Sequence, residues 1–244
     1  MHVTVGSATD VGRVRSGNED AFLADLPVLA VADGMGGHAA GEVASALTVA
    51  ALSDLVGRED LSVDDLVRQL GLANDRILDS ARRHREQEGM GTTVAGVALL
   101  GSADGGREWA VFNIGDSRVY ESTASGLVQV TVDHSLVQEL VDVGVLTAQE
   151  AAHHPSRNVV TRSLGREPMV EVSVSTRPVT AGQRLVVCSD GLSDELDAPD
   201  LEAVLKACPD AGQAAQALVE AALEAGGHDN VTVVVVDVPE DDAD

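Results

Sequence analysis

Along the chain, apolar residues alternate with polar ones or gather in short runs at about 3–8, 21–26, 28–33, 93–100, 108–115, 117–122, 127–131, 170–176, 184–189 and 231–237. That is the signature of strands, half-buried where it alternates and fully buried where it is continuous. Several of these runs follow one another across short turns: residues 101–106, Gly115-Asp116 and Ser125-Gly126. Parallel neighbours need crossovers of about a dozen residues or more, so strands joined this way are expected to be mostly antiparallel. Helical spacing by threes and fours appears in Val63, Leu66, Val67, Leu70, Ile77, Leu78 and Ala81, with Ser62 placed to cap the helix and Asp65 in its first turn. A second helix is expected over Ala40 to Leu52, buried through Val43, Leu47 and Ala50. Pro199 in a first turn opens another that runs over Leu201 to Ala207, and Ala214 to Ala225 makes the last. No linker, repeat or low-complexity stretch interrupts the pattern, which predicts one α+β domain with sheets packed face to face and helices outside.

Composition narrows the function classes. A chain of 244 residues with 44% hydrophobic content can bury a sizeable core. A formal net charge of -24 repels a phosphate backbone, and Phe22, Phe112, Trp109 and Tyr120 are too few to form a platform for stacked bases, so a nucleic-acid partner is excluded. No apolar run approaches the roughly 18–20 residues that span a bilayer, and Met-His-Val-Thr-Val at the start is no secretory leader, so a cytoplasmic protein is expected. Cys188 and Cys208 are too few for a disulfide framework and read as reduced structural residues. Residues 240–244 read as a solvated acidic tail behind a domain spanning 1–239.

The candidate chemistry lies at strand ends. Val31-Ala32-Asp33-Gly34 and Cys188-Ser189-Asp190-Gly191 each place an aspartate and a glycine after an apolar run, and Gly227-His228-Asp229-Asn230 places one just before the run at Val231. Taken singly, Asp33 reads as a helix cap and Asp190 and Asp229 as turn residues. Three carboxylates delivered together to strand termini instead form a metal-site constellation. Carboxylates and a backbone carbonyl are hard oxygen ligands, and no His-Cys or Cys-Cys spacing offers zinc a ligand set, which favours Mg2+ or Mn2+. If Asp33 bridges two ions roughly 3.5–4 Å apart, water shared between them loses its proton near neutral pH and attacks phosphorus in line.

Seven pieces in one order carry a family resemblance: Arg15-Ser16-Gly17-Asn18-Glu19-Asp20, Asp33-Gly34-Met35-Gly36-Gly37-His38, Gly91-Thr92-Thr93, Gly115-Asp116-Ser117-Arg118, Asp133-His134-Ser135, Ser189-Asp190-Gly191 and Asp229-Asn230. Over nearly its whole length the chain resembles the bacterial metal-dependent Ser/Thr protein phosphatases of type 2C. The resemblance implies a four-layer α-β-β-α sandwich of two mainly antiparallel sheets, with two or three Mn2+ or Mg2+ in a cleft at one edge. It implies that Asp33, Asp190 and Asp229 hold the first ion and that Asp33 and the Gly34 carbonyl hold the second. Glu19 or Asp20 would reach the second ion directly or through water. By the same resemblance Arg15 clamps the substrate phosphate, for which a planar guanidinium suits two oxygens at once. Asp133 would hold a third, weaker ion together with Asp190, with a solvated loop aspartate as the competing account.

Met35 stands where many eukaryotic relatives carry histidine. His38, three residues further on, is then a candidate general acid for the leaving serine or threonine oxygen, or else merely opens the helix that follows. Residues 139–165, with the pair His153-His154, resemble the mobile flap beside the family's active site; adjacent histidines do not converge easily on one ion, so flap packing is expected of them. Gly115-Asp116-Ser117-Arg118 reads as a turn between strands with its polar groups bonding locally, and Gly91-Thr92-Thr93 as the start of a core strand.

Two rivals remain in view. A dinucleotide-binding oxidoreductase fails because residues 34–39 lack the G-x-G-x-x-G spacing. A non-catalytic phosphoprotein-binding regulator on the same fold is disfavoured by the presence of all three metal aspartates. The expectation is a monomeric phosphatase that hydrolyses phosphoserine and phosphothreonine in proteins without a covalent enzyme intermediate, opposing bacterial Ser/Thr kinases.

Overall fold

Eleven strands form among the described residues: β1 (Thr4–Asp10), β2 (Asp20–Asp25), β3 (Val28–Met35), β4 (Gly91–Thr92), β5 (Val94–Gly101), β6 (Arg107–Ile114), β7 (Arg118–Thr123), β8 (Gly126–Gln129), β9 (Ser173–Pro178), β10 (Arg184–Cys188) and β11 (Val231–Asp237). The helices are α1 (Ala40–Ser53), α2 (Val63–Arg83), α3 (Leu136–Asp142), α4 (Ala148–Ala152), α5 (Asp190–Ser193), α6 (Ala198–Ala207) and α7 (Ala211–Ala225). The structure, a computed structural model, describes residues 3–36, 40–101, 106–169 and 171–240.

One sheet runs β1-β11-β10-β7-β8 and the other β2-β3-β5-β6-β9, with β4 beside β3, and every pairing is antiparallel. Their inner faces meet through Leu29, Val31, Val97, Trp109 and Val111 from one sheet and Val119, Leu185, Val187, Val234 and Val236 from the other. Both faces of the central strands are covered, which is why β10 and β11 read as continuous apolar runs rather than as alternations. The outer face of one sheet is sealed by α1 and α2, that of the other by α6 and α7, completing the four layers.

Local chemistry places the helices as expected. Ser62 caps α2 in a full capping box with Asp65, and Asp197 caps α6, where Pro199 occupies the first turn. Two expectations are corrected. Ala50 lies outward, and α1 is seated through Gly41, Ala44, Ser45 and Thr48, with Val43 and Leu47 half-buried. The small face lets the helix approach closely: a Cβ on Gly41 would stand 2.5 Å from Glu19 Oε2 and 2.7 Å from the Gly34 carbonyl carbon. Nor does Gly115-Asp116 join paired strands. It carries the chain from β6 in one sheet to β7 in the other, and Gly115 turns with φ of 106°, a conformation that glycine tolerates.

Candidate active site

The two sheets deliver carboxylates to a common edge. In the β2–β3 ladder Asp20 is the register partner of Asp33, which sets two like charges side by side on neighbouring strands, a destabilising arrangement on its own. The chain leaves β10 at Ser189 and opens α5 with Asp190, while Asp229 immediately precedes Asn230 and β11. Asp33, Asp190 and Asp229 line one cleft of about 400 Å3 together with Arg15, Glu19 and Gly34. The stretches that meet here are separated by as many as 214 positions in the chain.

These groups open to solvent on the cleft side and are enclosed by protein elsewhere. Burial, reinforced by the neighbouring carboxylates, pushes Asp20 up to about 7 and Asp190 up to about 6, and raises Asp33 well above the carboxylate range. Asp33 and Asp190 are close enough that each shifts the titration of the other. Asp20 Oδ2 accepts from Ser189 Oγ at 2.7 Å, but its buried Oδ1 has no hydrogen-bond partner. A buried carboxylate oxygen without a partner, next to Asp33, is suited to a proton or to a hard divalent cation. The cleft lining contains no described histidine or cysteine. Among the described residues no three acidic, histidine or cysteine side chains close around a single point, as expected of like charges with no cation between them.

Backbone bonds hold the ligands in register. Gly34 N–H donates to the Glu19 carbonyl at 3.1 Å, which also accepts from Ser45 Oγ of α1 at 2.6 Å. A Cβ on Gly34 would lie 2.2 Å from the Gly41 carbonyl oxygen, so glycine is required where the strand end meets the helix. The Asp33 carbonyl accepts from Thr92 Oγ1 at 2.8 Å, and its N–H donates to Thr93 Oγ1 at 3.1 Å. The Gly91-Thr92-Thr93 segment thus starts a strand, as read from sequence, and also fixes Asp33. Asn230 has a role that its sequence position does not advertise. Its Nδ2 donates to the carbonyls of Val11 and Gly17, each at 2.9 Å, and its Oδ1 accepts from Glu19 N–H at 2.8 Å, tying the loop that bears Arg15 to the loop that bears Asp229. Arg15 itself donates to Asp229 Oδ2 at 2.6 Å from an exposed position on the rim.

The structure places Asp133 differently from the expectation. Both of its oxygens accept from Arg118, at 2.6–3.0 Å, and Oδ1 also accepts from Gln129 at 2.8 Å, so its lone pairs are spent on the protein. Asp116, expected to bond locally as a turn residue, instead lines the cleft beside Asp33 and Asp190 at 7% exposure. Burial and then the Asp190 charge push it up to about 7. The signal that could have found it is the pair of strands it connects, since a short link between opposed sheets must end at their common edge. His134, next to Asp133, is structural: Nδ1 accepts from Gly115 N–H at 3.1 Å and Nε2 bonds Ser173 Oγ at 2.9 Å. His38 lies outside the described residues. The segment expected as a flap holds α3 and α4, closed at its base by Leu136 N–H donating to the Val159 carbonyl and Thr161 N–H to that of His134. There His153 ends α4 and His154 Nδ1 accepts from Ser156 N–H.

The family model described as protein phosphatase 2C matches residues 13–225. The serine/threonine protein phosphatase PstP of Mycobacterium tuberculosis is 44% identical over 236 residues, covering 94% of this chain and 44% of the relative, so the chain spans less than half of that protein's length. The serine/threonine phosphatase stp of Listeria monocytogenes is 35% identical over 241 residues, covering 94% of this chain and 93% of its own. The crystal structure of the PstP catalytic domain in complex with two manganese ions superposes with a TM-score of 0.88 at 38% identity, over 98% of this chain and 99% of that one.

Proposed function

The chain belongs to the protein phosphatase 2C family, and from that premise we propose that it hydrolyses phosphoserine and phosphothreonine in proteins with the help of divalent cations. The observation that carries this reading is the meeting of Asp33, Asp190 and Asp229 in one cleft, with the buried Asp20 beside Asp33 in the β2–β3 ladder behind it and one oxygen of Asp20 left without a partner. Asp33, Asp190 and Asp229 are the proposed ligands of one Mn2+ or Mg2+. Asp33 and the Gly34 carbonyl, with Asp20 and Glu19 directly or through water, are those of a second. Asp116 rather than Asp133 takes the place beside Asp190 for a third, because its carboxylate accepts no hydrogen bond from another described side chain while that of Asp133 is filled. Bound cations supply water acidified enough to attack phosphorus near neutral pH, and positive charge opposite the phosphoryl oxygens.

The residues of the chain do the rest. Arg15 offers a planar guanidinium at the cleft rim, suited to hold two phosphate oxygens and turn the ester for in-line attack. Gly34 and Gly191 let the backbone come close enough for ligands from separate strands to share a small space. Proton donation to the leaving oxygen is assigned to His38. Asn230 keeps the phosphate-binding loop and the Asp229 loop together.

Residues 1–239 form the proposed catalytic domain, with the flap over 139–165. A cytoplasmic setting, a monomeric state and opposition to Ser/Thr kinases belong to the same proposal. The cytoplasmic part of it is supported by two free thiols and accords with no described helix being long and apolar enough to cross a membrane. The test is phosphate release from p-nitrophenyl phosphate and from a phosphothreonine peptide with Mn2+, with Mg2+ and after chelation. Turnover that depends on either cation is expected. Activity that survives chelation would exclude the mechanism, and inactivity throughout would favour the non-catalytic regulator.

A further inference from the structure

Beside the catalytic cleft lies a second, larger cavity of about 770 Å3, walled on one side by α3 and α4 and on the other by α5 and the first turn of α6. Asp116, Asn158 and Asp190 line both spaces, so the two are continuous. A peptide whose phosphorylated residue sits between Arg15 and Asp33 therefore has room here for its neighbours.

The two walls differ in chemistry. The flap side presents Val137, Val141, Ala148 and Ala151 beside the polar Gln138, His153 and Arg157, the opposite side presents Asp194, Glu195, Asp197 and Asp200, and Arg118, held by Asp133, also lines the space. Some of this charge is already committed within the protein. Asp194 accepts from Asn158 and faces Arg157 at 3.6 Å, and Glu195 accepts from both the backbone and ring nitrogens of His228. Asp197 uses one oxygen to cap α6 through Asp200 N–H. Among the described residues no basic side chain forms an ion pair with Asp197 or Asp200. Asp116, the carboxylate proposed above for a third ion, marks the junction of the two spaces and is not among these free charges. A strip of apolar side chains opposite Asp197 and Asp200 matches a long aliphatic stem that ends in a cation.

Resting on the phosphatase reading above, we propose that this cavity is the subsite for a lysine or arginine side chain of the substrate, close in sequence to the phosphorylated residue, and that Asp197 and Asp200 select it. The overall negative charge of the protein draws basic segments to it from any direction. The cavity would convert that attraction into a preference for one position.

The test compares kcat/KM for phosphothreonine peptides of equal length that carry arginine, alanine or glutamate before or after the phosphorylated residue. Wild type is set against the double variant Asp197→Asn and Asp200→Asn, with Mn2+ present and p-nitrophenyl phosphate as a reference substrate. Asparagine caps a helix as well as aspartate does, so fold and volume are kept while the charge goes. Wild type is expected to favour arginine over alanine on one side by about tenfold, the worth of two partly exposed ion pairs. That preference should appear in KM, shrink in high salt, and fall to about twofold or less in the variant. Equal turnover of all peptides by wild type would overturn the inference, as would a preference that survives the double substitution. Absence of turnover on every substrate, the reference included, would overturn the phosphatase reading instead.

Discussion

Gly191 follows Asp190 in α5 and lies against the backbone that precedes β11. A Cβ there would stand 2.0 Å from the Asn230 carbonyl oxygen and 3.4 Å from the Cβ of Asp229. Ordinary carbon–oxygen contacts begin at about 3.3 Å, so Gly191→Ala must part the two loops by about 1 Å. The displaced segments carry two of the proposed metal ligands, and Asn230 cannot yield freely because its amide is bonded to Val11, Gly17 and Glu19. Such overpacking costs about 1–3 kcal/mol, and at about 2–4 °C per kcal/mol for a chain of this size the expected fall in Tm is about 2–12 °C. A 1 Å misplacement of reacting groups costs roughly a hundredfold in turnover, and Mn2+ affinity should fall alongside. Differential scanning calorimetry on metal-free protein and titration calorimetry with Mn2+ separate the two effects. Gly17→Ala is the control: its Cβ would meet nothing within 4 Å, and a change within about 0.5 kcal/mol is expected. If Gly191→Ala melts with the wild type and binds Mn2+ as tightly, close approach of these loops does not position the carboxylates.

The metal-free protein should lose stability as pH rises. Asp20, Asp116 and Asp190 titrate at about 7, 7 and 6 in the fold against an ordinary 3.8, so the folded state holds protons that the unfolded state has released. Their contribution is complete below about pH 4 and lost by about pH 7; Tm measured after chelation should fall over that window, Mn2+ should flatten the curve, and a flat metal-free curve would contradict the cluster. Asp133→Ala strands Arg118 in a partly buried site and should cost about 3 kcal/mol with Mn2+ stoichiometry intact, whereas Asp116→Asn should weaken one Mn2+ site with little change in Tm; calorimetry giving the reverse would return Asp133 to the metal. His38→Ala should remove one limb of the pH profile of turnover, and an unaltered profile would take His38 out of the mechanism. Asp190→Asn should stabilise the metal-free protein by on the order of 1 kcal/mol, by relieving repulsion, while abolishing the response of Tm to Mn2+.

Most of the fold was legible because its signals are local. The strands are narrow apolar stripes between turn residues, and β2, β3, β10 and β11 begin or end within a few residues of where the apolar pattern alone puts them. The cap at Ser62 and the proline at Pro199 locate helix starts for reasons confined to one turn of chain. The inward face of α1 was misjudged because hydrophobicity selected Ala50, whereas close approach to Gly34 and Glu19 selects small residues such as Gly41 and Ser45. Periodicity reports what prefers burial, and it carries no information about how near the neighbouring backbone lies.

The site divides along the same line. Asp33, Asp190 and Asp229 stood out because each adjoins a strand, so strand assignment also placed the carboxylate at a sheet edge. Asp116 and Asp133 could not be ranked in that way: both are short-loop aspartates, and the choice between them depends on where Arg118 points and on which sheet each flanking strand joins. Arg118 begins β7 and turns its guanidinium onto Asp133, out of the catalytic cleft. That contact ties β7 to the loop before α3 and leaves Asp116, at the crossing between the sheets, as the open carboxylate beside Asp190. The ion pair and the site are therefore one arrangement: neutralising Asp133 limits the negative charge that the cations must balance, and it props up the wall shared by the catalytic cleft and the acidic cavity. Replacing Arg118, which lines the peptide cavity but not the catalytic cleft, should then disturb both metal binding and peptide preference.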